Sequence, residues 1–398
     1  MKKIVIAPDS FKENLTSLQV ASAIEQGIRR VLPDVECVKV PMADGGEGTV
    51  QSLVDAVGGK FIHKQVRGPL GNKPVKARYG LLADGESAVI EMAEASGLPL
   101  VTANKRNPLK ATSYGTGELI MDAISRGARH IIIGIGGSAT VDGGAGMAQA
   151  LGVRFRDSNG RAIKGYACGG MLNTIAAIDM DEVDPRVRQA RIIIASDVDN
   201  PLVGKRGAAR VFGPQKGATP AMVKTLDANL RHFGGVIKRD LGKKVNTMNG
   251  AGAAGGLGAG LVAFTNAKMQ SGIEIIMKAT GLGEELKGAD LALTGEGQVD
   301  FQTAFGKTPA GVAKVAKKAR VPVIAIGGGL ADDARGVFEY GIHGLDSAVA
   351  RPQSLDDAFN NARKYLANAG ERVTRMVLLG RDMERARVRK RNRKKKRN

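Results

Sequence analysis

The residues best suited to chemistry in this chain stand at Gly295-Glu296-Gly297-Gln298-Val299-Asp300, with Gln302 and Gly306-Lys307 just beyond. They follow the short apolar run Ala289-Asp290-Leu291-Ala292-Leu293-Thr294, which predicts a buried strand. Two acids, an amide and a lysine therefore leave a strand end on a glycine-permitted turn. In open α/β sheets that edge is where ligands bind. The same design recurs along the chain: an apolar strand, a Gly-rich turn, then Asp, Ser or Lys. Acids beside bare backbone N–H groups suit phosphate together with a metal ion.

Ala7-Pro8-Asp9-Ser10-Phe11-Lys12 follows the first apolar run directly. Pro8 blocks sheet continuation, so Asp9, Ser10 and Lys12 either enter a crevice or cap the next helix. Ala43-Asp44-Gly45-Gly46-Glu47-Gly48-Thr49 sets two acids in a glycine frame, for Mg²⁺ or for a helix N-terminus. The segment 134–144 reads Gly134-Ile135-Gly136-Gly137-Ser138-Ala139-Thr140-Val141-Asp142-Gly143-Gly144 after a predicted strand. It fits a loose dinucleotide fingerprint, whereas Gly250-x-Gly252-x-x-Gly255 follows no strand and fails that context. Both loops can cradle phosphate oxygens, and the second can equally serve close helix packing. Ser196-Asp197-Val198-Asp199-Asn200-Pro201 places Asp197 and Asp199 on one side of an extended chain, a pair for a metal and a general base; it is also good turn chemistry. Gly213-Pro214-Gln215-Lys216-Gly217 adds a lysine on a tight turn. Gly306-Lys307-Thr308 resembles the end of a phosphate-binding P-loop, but the first glycine of that motif would fall on Phe301, so the motif fails while Lys307 keeps its charge. His63, His130, His232 and His343 form no metal-ligand spacing, and no Gly-x-Ser-x-Gly occurs.

The elements that must carry these residues alternate strand and helix. Strands are predicted at 3–8 and 35–40, with a helix between them opened by a Thr16/Gln19 capping box, and a second helix at 50–57. From about residue 66 the texture changes to strands at 75–80 and 88–92 joined by an Ala83-Asp84-Gly85 hairpin. Buried strands follow at 130–135 and 191–195. After 286 the first texture returns, with strands at 291–294, 321–326 and 345–349 and helices at 310–318 and 355–366. Pro309 suits the first turn of the former helix. A five-stranded α/β domain built from both chain ends, with an inserted α/β domain of mixed sheet, explains the pattern.

With 398 residues the chain has material for two domains. Its 54 glycines have no period and come with only 14 prolines, which excludes collagen and disorder. Aromatics at 4% argue against a stacking platform for single-stranded nucleic acid. Two cysteines make no disulfide framework, and no run approaches the roughly 18 to 20 apolar residues of a spanning helix; the expectation is a soluble, cytoplasmic protein with reduced thiols. Net charge is +20, and residues 381–398 supply +9 of it from 11 Lys/Arg against 2 Asp/Glu. That tail repels itself and is expected to be disordered or an extension of the last helix, able to bind polyanions only in a salt-dependent way.

Taken in order, segments 7–12, 43–49, 90–98 (Ile-Glu-Met-Ala-Glu-Ala-Ser-Gly-Leu), 106–109, 112–118, 134–144, 197–202, 212–217, 250–256 and 294–307 resemble the bacterial glycerate kinase family of the glycerate 2-kinase type. The resemblance runs from Lys3 to about Gly380. It implies transfer of the γ-phosphoryl group of ATP to D-glycerate with Mg²⁺, giving 2-phosphoglycerate. It also implies a flavodoxin-like domain from 1–65 and 287–380, an inserted domain at 66–286, and a site in the cleft. Val141 stands where the family usually has Asn, Gln298-Val299 replace Arg-Ile, Ser347-Ala348 are unusual, and the tail 381–398 has no counterpart.

Phosphoryl transfer needs positioning, charge neutralisation and a base for the hydroxyl. Asp197 is the expected base, with Lys12, Asp44 and Glu296 beside it in catalysis. Mg²⁺ is expected on some of Asp44, Asp142, Asp199 and Glu296. Lys12 and Arg67 are expected on the glycerate carboxylate, with Asp9, Ser10 and Ser113 around the substrate. Lys216 and Lys307 face the transferring phosphate, and Gly136, Gly137, Ser138, Gly252 and Gly255 cradle the nucleotide. Phosphorylation at the 3-hydroxyl stays open. An NAD-linked hydroxy-acid dehydrogenase and a basic-tailed nucleic-acid binder are the rivals from other classes; neither accounts for acids repeated at strand ends.

Overall fold

A computed structural model of the chain describes residues 1–71, 73–304 and 307–395. Gly306, singled out beside Lys307, and tail residues 396–398 lie outside the described residues. In chain order the strands are β1 (Lys3–Ile6), β2 (Glu36–Lys39), β3 (Gly59–Arg67), β4 (Pro74–Leu82), β5 (Ser87–Glu91), β6 (His130–Gly134), β7 (Arg154–Arg156), β8 (Ala177–Asp179), β9 (Arg191–Ala195), β10 (Lys268–Gln270), β11 (Leu291–Val299), β12 (Val323–Leu330) and β13 (Gly344–Ser347). Two compact units result, Met1–Ala43 with Met277–Asn398, and Asp44–Ile276.

The first unit holds a parallel sheet in the order β13-β12-β11-β1-β2. This is the flavodoxin-like order 2-1-3-4-5 when its strands are counted within the unit. Ile4, Val5 and Ile6 are fully buried, as befits a strand covered on both faces. The helix Ser17–Arg29 starts at the capping box: Gln19 N donates to Thr16 Oγ1 and Thr16 N donates to Gln19 Oε1. Its buried Val20, Ala21, Ile24 and Ile28 share a core cluster with Leu366, Ala369 and Val373 of the helix Ala362–Lys395. Gly27 permits that contact, since a Cβ there would lie 1.8 Å from Ala367 O.

Two expectations change in this unit, and a third resolves to one of its alternatives. The segment 295–299 is strand, not turn: Glu296, Gln298 and Val299 pair with Gly327, Gly329 and Leu330 of β12. Glycine on both sides makes the extension possible, because a Cβ on Gly295 would meet Ile326 O at 2.1 Å and one on Gly328 would meet Gly297 O at 2.4 Å. The helix expected at 355–366 is two helices, Leu355–Asn360 and Ala362–Lys395. The basic tail, expected as disordered or helical, continues that second helix through Lys395, and residues 382–390 are exposed.

The second unit carries a six-stranded mixed sheet in the order β10-β9-β6-β5-β4-β3. The pairs β3–β4 and β4–β5 are antiparallel and the others parallel. The hairpin at Ala83-Asp84-Gly85 turns on Gly85 at φ 73°, with Asp84 Oδ1 accepting from Glu86 N and Ser87 N. This unit begins at Asp44, not at 66, and ends at Ile276, not at 286. The reason is register: β3 starts at Gly59 and pairs with β4 along its whole length, which carries the helix Thr49–Val57 with it. A short ribbon, β7–β8, lies beside a cluster of Phe155, Phe233 and Phe264 rings, centroids 5.6–6.1 Å apart.

Candidate active site

In the second unit the chain segments after β6, β9 and β10 meet the loop that begins at Asp44. A Cβ on Gly45 would come within 2.7 Å of Gly272 Cα and 3.2 Å of Ala195 Cβ, and one on Gly134 within 2.7 Å of Gly45 O. Only bare backbone fits there, and Gly45 itself sits at φ 90°. Asp44 folds back so that its Oδ1 accepts from Gly46 N at 2.9 Å. Asp197, exposed at its surface, accepts from the Ser271 hydroxyl and the Gly272 amide. Partial desolvation raises its pKa above the usual aspartate value; the negative charges of Asp44 and Glu274 add to the rise, and the two hydrogen bonds oppose it. A carboxylate with raised proton affinity beside a second acid is the electrostatic setting of a general base. Asp199 goes elsewhere, its oxygens 3.0 and 2.9 Å from Arg206 in an exposed pair.

The loop after β6 is held from beneath. Lys216 is fully buried and its Nζ donates to Ser138 Oγ at 2.6 Å and Thr140 O at 2.7 Å. Burial pushes this lysine down to about 7, with the Asp142 charge opposing. Asp142 is enclosed: Oδ2 accepts from Ser113 N, Ser113 Oγ and Gly146 N, and Oδ1 from Gly144 N. Burial raises its pKa, against those four hydrogen bonds. Ser113 is spent in the same network, because its hydroxyl also accepts from Met147 N. Gly137 is at φ 71° and a Cβ on Gly136 would lie 3.5 Å from Gly46 Cα, so this loop adjoins the Asp44 loop.

Gly252 and Gly255 serve close packing: Cβ atoms there would meet Pro201 O at 2.3 Å and Thr140 O at 1.9 Å. Ala254, Gly255 and Gly256 are nonetheless three successive left-handed residues, a backbone shape able to gather amides around an anion. Arg67 ends β3 on the same sheet edge as the ends of β5, β6 and β9, with its guanidinium 5.0 Å over the Tyr166 ring. Three strand spacings separate β3 from β6, roughly 14 Å.

Glu91 was missed. It ends β5 opposite Gly134 and is buried, with Oε1 accepting from Val50 N at 2.8 Å and a further bond from the Gly48 amide. Burial, with help from Glu94, pushes it up to about 7 against those two bonds. Its position at the end of a predicted strand was the available signal.

In the first unit Asp9, Ser10 and Lys12 follow the carboxyl end of β1, Glu296 lies within the last half of β11, and Asp300 and Lys307 follow that strand. Asp9 N donates to Gly295 O at 2.8 Å, and buried Asp9 accepts from Thr308 Oγ1 at 2.6 Å and Ser10 N at 2.7 Å. Thr308 is a second missed residue, hidden in the failed P-loop. Lys12 is exposed on the tight turn closed by the Phe11–Leu15 bridge. Lys307 Nζ lies 3.3 Å from both Glu296 Oε2 and Asp300 Oδ1. Burial works to lower this lysine's pKa, yet the two carboxylates outweigh it and the net shift is upward. Glu296 is raised, by burial first, with the Thr303 hydroxyl and Lys307 opposing.

Among the described residues no group of three or more His, Cys, Asp or Glu is arranged to hold a metal by itself. Mg²⁺ needs only one or two carboxylates when phosphates supply other oxygens. Glu296 fits, since its Oε1 is buried with no hydrogen-bond partner among the described residues. Asp142 does not fit in this arrangement, its oxygens being filled by four donors.

The profile of the glycerate kinase family matches residues 4–378. A glycerate kinase of Halalkalibacterium halodurans is 55% identical over 374 residues, covering 94% of this chain and 97% of that one. The glycerate 2-kinase of Escherichia coli K12 is 52% identical over 378 residues, 95% and 98% of the two chains. A crystal structure from Salmonella typhimurium LT2, of a protein assigned as glycerate kinase 2, superposes with a TM-score of 0.88 at 49% identity, covering 96% of this chain and 99% of that one. No helix among the described residues is long and apolar enough to cross a membrane. With a profile match across almost its whole length and near-complete relatives at half identity, this chain belongs to the glycerate kinase family.

Proposed function

We propose that this protein transfers the γ-phosphoryl group of ATP to the 2-hydroxyl of D-glycerate, giving 2-phospho-D-glycerate and ADP. The observation that carries the reading is Asp197: an accessible carboxylate of raised pKa, held by Ser271 and Gly272 beside Asp44. Asp197 takes the proton from the glycerate 2-hydroxyl as that oxygen bonds to the γ-phosphorus. The bond from phosphorus to the β,γ-bridging oxygen breaks, and ADP leaves with that electron pair. Support for the 2-hydroxyl comes from the naming of the Escherichia coli relative; the same base could serve the 3-hydroxyl with a shifted substrate.

The loop Gly136-Gly137-Ser138, held from beneath by Lys216, offers amides to the nucleotide phosphates. Lys216 acts through that loop, its Nζ being committed to Ser138 and Thr140. Lys307 supplies positive charge in the first unit and Lys12 an exposed one, while Arg67 marks a carboxylate-binding position. Mg²⁺ when bound would offset phosphate charge, and Glu296 is the acid proposed to hold it, while Asp44 stands beside Asp197 in catalysis. Replacing Asp197 with Asn tests the base: kcat should fall by a factor on the order of 10² to 10⁴. Near-normal turnover would reject the assignment.

A further inference from the structure

We infer that Glu91 is a positioning residue for the Asp44 loop, acting as a helix cap supplied from another strand. The inference rests on the reading of Asp44 as part of the reaction site. The helix Thr49–Val57 begins at Gly48, an N-cap without a side chain, in the left-handed conformation at φ 89°. A helix start leaves amides that need an acceptor, and glycine has none to give. Glu91 gives it instead: Oε1 lies 2.8 Å from Val50 N, and the Gly48 amide also donates to this carboxylate. A carboxylate at this end is favoured by the helix dipole as well.

The consequence travels a short distance along the backbone. Gly46 O accepts from Thr49 N and from the Thr49 hydroxyl, and Gly46 N donates to Asp44 Oδ1. Gly45 is wedged against Gly272, Ala195 and Gly134, so the loop has no slack on its other side. Glu91 is itself fixed, since β5 pairs Glu91 with Gly134 and Met92 N donates to Gly134 O. The acid that reaches the reaction is Asp44; the acid that decides where Asp44 stands is Glu91. Glu94 and Arg78 are the other charged groups acting on it.

Reach, not charge, should therefore matter. Glu91→Gln keeps an acceptor oxygen at the same length, and kcat should stay within about threefold of the parent. Glu91→Asp keeps the charge but retracts it from Val50 N, and kcat should fall about tenfold or more with KM for ATP unchanged. In an Asp44→Asn background Glu91→Asp should cost nothing further, since residues acting through one another are not additive. Thermal melts of both variants check that they fold. Glu91→Asp matching the parent, a full additional loss in the Asp44→Asn background, or a rise in KM for ATP in step with the fall in kcat would overturn the inference. An Asp44→Asn protein as active as the parent would instead overturn the reading of Asp44, and the inference with it.

Discussion

Lys216 Nζ lies 2.6 Å from Ser138 Oγ, a fully buried ammonium donating to the glycine loop that follows β6. The sequence alone marks this lysine for a phosphate; the structure gives it a supporting place against Ser138 and Thr140. Its pKa of about 7 lies below the ordinary 10.5, so the unfolded chain holds more protons than the folded one between those values. Stability from this group is therefore gained as pH rises from 7 towards 10.5 and lost on the way down. Lys216→Met should flatten that rise, measured as Tm against pH beside the parent. An unchanged slope would show that Lys216 titrates normally.

Glu91 has the opposite sign. Its pKa of about 7 lies above the ordinary 4.5, so the folded chain holds the extra proton between those values. Stability is lost as pH rises from 4.5 to 7 and is not recovered above it. Glu91→Gln should melt at a higher temperature than the parent at pH 8 and lose that advantage near pH 4.5. A constant difference in Tm across the range would contradict the buried setting.

Glu296→Gln should raise the Mg²⁺ concentration for half-maximal rate, by about tenfold or more if Glu296 is a ligand. The orphan Oε1 is the reason, and a titration of initial rate against Mg²⁺ is the check. A curve superimposable on the parent's would remove Glu296 from the metal.

Truncation after Gly380 removes residues 381–398, which carry +9 of charge and of which 382–390 are exposed. It should leave kcat and KM unchanged while moving elution from a heparin column to lower salt. Lost activity would give the tail a role that the family profile, ending at 378, does not include.

Much of the scaffold was legible because its signals are local. The Thr16/Gln19 box, the Gly85 hairpin and the β-branched runs of β6 and β9 each announce their own conformation. The strand extension through Glu296 was not, because it depends on Gly328, about thirty residues away, letting Gly297 O approach at close range. Asp197 and Glu296 were visible as acids at strand ends. Whether an acid is spent was not visible: Asp142 is filled by Ser113, Gly144 and Gly146, while Asp199 pairs with Arg206 at the surface. Glu91 and Thr308 escaped because their partners, Val50 and Asp9, lie far off in sequence.

The most direct test is ³¹P NMR of the purified protein incubated with ATP, Mg²⁺ and D-glycerate. The resonance of 2-phospho-D-glycerate should grow in step with ADP, and the Asp197→Asn protein should form it far more slowly. A 3-phosphoglycerate resonance in its place, or ATP left intact with glycerate present, would contradict the account.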